Sequence, residues 1–169
     1  KVLFLDRSDI NTDEIIPAKY LTENSKLALR PFILEDLKLP DFNPQEDISS
    51  ANVIVTRANF GCGSSREHAV WVFEVNDINV VIGESFARIF RQNMFNCGML
   101  AIELPKEQID TLFALEKGSG DVDIAINLAE QKVVASGNGR EEICSFAISP
   151  FDKALVEAGG WVEYADARY

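Results

Sequence analysis

The chain has one histidine, His68, and only three cysteines, Cys62, Cys97 and Cys144, with no Cys-x-x-Cys pair among them. A single histidine excludes a histidine-rich metal site. The missing tight cysteine pair argues against an iron–sulfur cluster or zinc held by this chain alone. An odd number of cysteines at wide spacing is not a disulfide framework either. Cys97 in MFNCGML and Cys144 in EEICSFAIS sit in apolar settings typical of buried, inert thiols.

Positive charge is also scarce. Sixteen Lys and Arg face 27 Asp and Glu, a formal net charge of -11, and the basic residues form no run. Neutralising phosphates needs clustered cations, which argues against a general nucleic-acid surface. An acidic protein that binds an acidic ligand must focus its positive charge on individual arginines in a cleft. No apolar stretch is long enough to span a membrane. The opening KVLFLDRSDINTDE has a short apolar run followed by acid and does not resemble a signal peptide. A cytoplasmic chain with neither nucleic-acid nor membrane partners is the expectation.

What remains is an ordinary globular composition, 47% hydrophobic and 25% charged over 169 residues. That suits one domain, 1–169, with a substantial core. VLFLD predicts a first strand, and NTDEIIPAKYL a turn region in which Asn11, Thr12 and Asp13 supply turn chemistry. Residues 18–48 are punctuated by Pro31, Pro40 and Pro44 and predict a flexible flap. From NVIVTR onward, short apolar strands alternate with helical patterns, REHAVWVFEVND, FARIFRQNMFN and KEQIDTLFALEKG, the last stopped by Gly118. This alternation predicts a mainly parallel sheet. The final third changes character: DVDIAINLAEQKVVASG predicts a hairpin and EEICSFAIS another strand, both alternating as antiparallel strands do. PFDKALVEAGGWVEYAD predicts a helix begun at Pro150 and broken at Gly159 and Gly160. The sequence therefore reads as α/β with an antiparallel annex.

The densest chemistry lies in RANFGCGSSREHAV, from Arg57 to Val70. Two readings fit it. Ser64-Ser65-Arg66-Glu67 matches the capping box, Ser64 capping a helix while Glu67 reaches back. Alternatively, a strand, a glycine-rich turn and a helix start present free N–H groups at the positive end of a helix dipole, where carboxylate or phosphate binds. Two hydroxyls and the Arg66 guanidinium would complete a polyanion site. One serine can cap while the other faces a ligand, so the readings coexist. Known motifs of this type fail. Arg66 stands where a dinucleotide fingerprint needs its third glycine, Gly-Lys-Ser/Thr is absent, and so is Gly-x-Ser-x-Gly. Cys62 with His68 is a weak candidate for thiol catalysis, because His68 would point away along the helix.

NFGCGSSREHA, taken with NTDEIIPAKYL and SFARIFRQNMFNCGML, resembles the small-subunit family of the isopropylmalate isomerases, the swivelling domain of the aconitase superfamily on a separate chain. The resemblance runs from about Val2 to Leu104 with the three motifs in family order. It implies a three-layer β/β/α swivelling domain with a mainly parallel central sheet and an antiparallel annex. It also implies a hydro-lyase that interconverts 2- and 3-isopropylmalate in leucine biosynthesis, active only with a large subunit. That subunit would carry a [4Fe-4S] cluster, with no metal and no cofactor on this chain. A heterodimer or a heterotetramer would result.

By the same analogy Ser64 is the catalytic base, and Ser65, Arg66 and the Gly63 backbone hold substrate carboxylate. Thr12, Asp13, Glu67 and His68 stand behind them, Glu67 and His68 in structural roles. Lys26 and Arg30, in the flap, are cationic candidates for a distal carboxylate, although each also suits a solvated helix charge. Arg88 and Arg91 either shape the cleft or pair with surplus acid; a structural role is the expectation for Arg88. The substrate class is a small hydroxy di- or tricarboxylate related to malate. Homoaconitase, aconitase and dimethylmalate dehydratase activities share this chemistry. A non-catalytic anion-binding or regulatory module is the reading from another class.

Overall fold

The computed structural model describes residues 1–119 and 121–168. Its centre is a parallel sheet of four short strands, β1 (Val2–Phe4), β2 (Val53–Val55), β3 (Val80–Gly83) and β4 (Leu100–Glu103), side by side in that order. Leu3 lies opposite Ile54, Ile54 opposite Val81, and Val81 opposite Ala101. All three residues of β2 are buried, which is why the strand reads as an unbroken apolar run.

Parallel neighbours need crossovers. Between β1 and β2 run a short helix α1 (Thr12–Ile15), two 3₁₀ turns at Ala18–Tyr20 and Leu27–Phe32, and α2 (Pro44–Asp47). Helix α3 (His68–Glu74) joins β2 to β3, and α4 (Arg88–Asn96) joins β3 to β4. With strands added always in one direction, right-handed crossovers carry these connections over one face of the sheet. Helices α3 and α4 pack against each other there, and α3 also packs on the second 3₁₀ turn.

Helix α5 (Lys106–Ser119) follows β4; its Phe113 meets Phe4 of β1 edge to face, with ring centroids 5.3 Å apart. A second sheet follows, β5 (Asp123–Asn127), β6 (Lys132–Gly137) and β7 (Arg140–Ser145), antiparallel in that order and packed on α5. The chain closes with α6 (Pro150–Ala158) and α7 (Trp161–Arg168), separated by Gly159 and Gly160. The expected mainly parallel sheet and antiparallel annex are both present. No helix among the described residues is long and apolar enough to cross a membrane.

Local details depart from the sequence reading in three places. The helix after the glycine-rich turn begins at His68 rather than at the serines, and its cap residue Glu67 makes no side-chain cap bond. Ser64 is therefore not a helix cap. The reciprocal box forms instead on α1: Asn11 Oδ1 accepts from Glu14 N at 2.9 Å while Asn11 N donates to Glu14 Oε1 at 3.2 Å. Helix α5 passes through Gly118 to Ser119. The segment 18–48 contributes Leu29, Ile33, Leu34, Leu37 and Ile48 to the core. Leu34 N donates to Ile15 O at 2.8 Å, and its exposed stretch is 22–27.

Candidate active site

The glycine-rich loop lies beyond the carboxyl end of β2, where open parallel sheets place their ligand crevices. Neighbouring loops hold it on both sides. Toward the loop after β1, Asp9 N donates to Ala58 O at 2.9 Å, Gly61 N to Ile10 O at 2.8 Å, and Thr12 N to Cys62 O at 2.8 Å. Toward the loop after β3, Phe60 N donates to Ser85 O at 3.1 Å and Ala87 N to Phe60 O at 2.9 Å. Asn59 adds Ser85 Oγ to its backbone N–H at 2.8 Å and reaches Asp9 Oδ1 with its amide at 2.9 Å. Phe60 anchors the loop from below: it is fully buried, with rings of Phe86 and Phe90 edge-on at 6.1 and 5.5 Å.

Two glycines let the backbone take this course. Gly61, at φ +81°, lies so close over Phe90 that a Cβ would sit 2.2 Å from Cγ of that ring. Gly63, at φ +96°, passes over Thr12, whose Oγ1 would be 3.4 Å from an added Cβ. These left-handed conformations suit glycine and strain other residues.

The result is a cleft of about 360 Å³. It is lined by Gly61, the run from Gly63 to Arg66, and the first turn of α4 with Arg88. Ser64 and Ser65 are exposed, and neither hydroxyl is engaged by another described residue. Thr12 is buried in the wall, 1% exposed, and its Oγ1 has no hydrogen-bond partner among the described residues. Arg66 Nη1 donates to Asp13 Oδ1 at 2.5 Å, tying the loop to α1. Behind them Arg7 bonds to Glu14; that bond raises the guanidinium pKa further and lowers that of the Glu14 carboxyl.

Helix α4 supplies the cleft with the helix terminus that the sequence assigned to the serines. Its cap residue Ala87 makes no side-chain cap bond. The amides of Arg88, Ile89 and Phe90 find no acceptor among the described residues. Orphan amides at the positive end of a helix dipole attract anions. Arg88 is exposed and lines the cleft with no ion pair to any described residue. The structural role expected for it is thus not what its surroundings show. The signal in sequence was its place one residue after the turn SFA that closes the strand NVVIGES.

Ser64, Ser65, Arg66, Gly63 and Thr12 therefore converge, with Asp13 joined through Arg66. Lys26, Arg30, Glu67 and His68 are not brought to this cleft. Lys26 Nζ lies 3.2 Å from Glu74 and 5.3 Å above the Trp71 ring, in a separate cavity that Glu67 also lines. Arg30 is exposed beside Pro44 and Asn76. The His68 ring packs on Trp71 at 4.7 Å.

Thiol chemistry finds no support. Burial, then the Asp9 carboxylate, pushes the Cys62 thiol up, away from the thiolate a nucleophile needs. Among the described residues no group of three or more His, Cys, Asp or Glu is placed to hold a metal.

A parallel sheet with an anion-seeking cleft at its strand ends defines a class, and residues 34–107 match the aconitase C-terminal domain. The chain is 34% identical to the 3-isopropylmalate dehydratase small subunit of Aromatoleum aromaticum, over 95% of this chain and 82% of that protein. It is also 34% identical to the small subunit of the same name from Neisseria meningitidis, over 96% and 85%. In fold it is similar to a solved 3-isopropylmalate dehydratase from Methanocaldococcus jannaschii, with a TM-score of 0.80, 28% identity, and coverage of 99% and 92%. The chain belongs to the 3-isopropylmalate dehydratase small-subunit family.

Proposed function

We propose that residues 1–169 form one swivelling domain, the small subunit of a cytoplasmic two-chain hydro-lyase that interconverts 2- and 3-isopropylmalate. The observation that carries this reading is the convergence of Gly63 to Arg66 and the first turn of α4 on one cleft. Relatives named as small subunits support a large-subunit partner. The iron–sulfur cluster of the reaction belongs, in this reading, to that partner.

Dehydration removes a proton from the carbon α to a carboxylate and hydroxide from the neighbouring carbon. Ser64 Oγ, as its alkoxide, takes the proton and the C–H electron pair becomes the alkene. The C–O bond breaks with its electron pair leaving on oxygen as hydroxide, for which the cluster on the large subunit would supply a Lewis acid. Return of water to the alkene with the opposite regiochemistry gives the isomer, and Ser64 gives the proton back. A serine hydroxyl is a weak base, so its alkoxide needs donors and positive charge in a water-poor site. The amides from Gly63 to Arg66, which find no acceptor among the described residues, the remaining N–H groups of the Arg66 guanidinium and the positive end of α4 supply these once the partner closes the open side. Ser65 and Arg66 hold the carboxylate, and Asp13 sets the angle of the Arg66 fork.

The test is anaerobic turnover by this chain mixed with its cluster-loaded large subunit, following alkene absorbance with isopropylmalate, citrate, homocitrate and dimethylmalate. Preference for isopropylmalate is the expected result. Preference for another acid would move the chain to that acid's dehydratase. Inactivity on all four in a confirmed complex would favour an anion-binding module without catalysis.

A further inference from the structure

We propose that Arg88, backed by the uncapped first turn of α4, holds a substrate carboxylate in the cleft; the proposal rests on the hydro-lyase reading above and adds a binding residue to it.

Charge bookkeeping within the cleft motivates this. Arg66 is the obvious cation, yet its guanidinium is already engaged by Asp13 at 2.5 Å, so the pair together brings no net charge. Arg7 is held by Glu14, Arg57 by Asp6 and Asp110, and Arg91 lies 3.5 Å from Glu103. Exposed Arg30 and Arg140 likewise make no ion pair with a described residue, but neither lines this cleft. Arg88 has no acidic partner among the described residues, and it lines the same cleft as the serines.

Two further features point to an anion at the same place. The amides of Arg88, Ile89 and Phe90 lack acceptors among the described residues, on a helix of nine residues with no side-chain cap. The buried Oγ1 of Thr12 in the same wall lacks a partner as well. A buried hydroxyl without a partner is costly, and a bound carboxylate or its water is a ready acceptor for it. The guanidinium, the orphan amides and the hydroxyl can all donate, and none of them has an acceptor among the described residues. A dicarboxylate then has two fixed ends, one at Ser65 and Arg66 and one at Arg88, which sets the reacting carbons against Ser64.

The experiment uses the assembled two-subunit enzyme. Arg88→Gln is expected to raise KM for isopropylmalate about 10- to 100-fold with a much smaller change in kcat. Arg88→Lys, keeping charge but losing the fork, recovers part of the loss. Added guanidinium should restore activity to Arg88→Gln and leave wild type unaffected. The thermal midpoint and partner affinity stay at wild-type values, as befits an exposed residue. An unchanged KM in Arg88→Gln overturns the proposal while the hydro-lyase reading stands. If Arg88→Gln does not assemble, Arg88→Lys decides: KM rises several-fold for a binding residue and stays put for a structural one. A wild-type complex that turns over no hydroxy acid refutes the hydro-lyase reading instead. Calorimetric titration of that complex with maleate then judges Arg88 by itself, since binding that survives Arg88→Gln, or is absent from wild type, overturns its role.

Discussion

Arg66 Nη1 meets Asp13 Oδ1 at 2.5 Å, although 53 residues separate them in the chain. The bond joins the loop after β2 to the helix after β1 and aims the guanidinium along the cleft wall. Arg66 is mostly shielded, at 19% side-chain exposure, whereas Asp13 is 63% exposed. An exposed pair of this kind adds little stability, within about 1 kcal/mol. Its value is orientation.

Arg66→Lys is therefore expected to lower kcat/KM of the assembled enzyme by about 100-fold or more, because a lysine cannot hold a carboxylate with a planar fork. Asp13→Asn should lower it by no more than about tenfold, since it loosens the fork without removing it. Steady-state kinetics on the two variants checks the order. The reverse order would overturn the assignment of substrate contact to Arg66.

Ser64→Ala is expected to lower kcat by about a thousandfold or more, the scale of a positioned general base. Both hydroxyls are exposed, and the fold does not use them. Partner affinity and the thermal midpoint should therefore remain unchanged. Alkene formation under saturating isopropylmalate is the readout. Substantial residual turnover would remove Ser64 from the role of base.

Gly61→Ala should destabilise the chain by roughly 3 kcal/mol or more, since it adds left-handed strain to a forced collision with Phe90. Gly139→Ala is the matched control. It has φ +72°, but nothing lies within 4 Å of an added Cβ. Strain alone then costs about 1–2 kcal/mol. Urea unfolding of both variants measures the difference, which is the cost of moving the Phe90 ring.

Burial pushes the Cys97 thiol up to about 11, with the Glu74 carboxylate adding to it. Its thiolate fraction near neutral pH is thus about 100-fold below that of an ordinary cysteine, and iodoacetamide should label it correspondingly slowly in the native chain. The folded state favours the neutral thiol. Its contribution is fully present below the unfolded value of about 9 and is lost as pH rises toward 11. Urea midpoints should fall over that window, and Cys97→Ala should flatten the fall.

Much of this architecture was legible in the sequence because it depends on short-range rules. The apolar run at Val53–Val55 needs burial on both faces, and that means a parallel strand. The alternating pattern of β6 needs burial on one face and gave the antiparallel annex. Glycines at 61 and 63 announced a backbone that other residues resist, and the serines and arginine beside them announced an anion. Capping was less legible. Ser64 to Glu67 and Asn11 to Glu14 both fit a box, and the second formed because Asn11 and Thr12 are pinned by the bridge to Cys62.

The cleft itself was decided by tertiary structure. Which side chains face one another across it depends on the register of β1, β2 and β3, which sets loops from distant parts of the chain side by side. Sequence spacing carries no information about that register. It offered Lys26 and Arg30 as cations and set Arg88 aside. Packing of the second 3₁₀ turn on α3 carried Lys26 to Glu74 and Trp71, and the short turn after β3 delivered Arg88 to the cleft. Composition determined that positive charge would be rare and local. Only the assembled sheet determined where it stands.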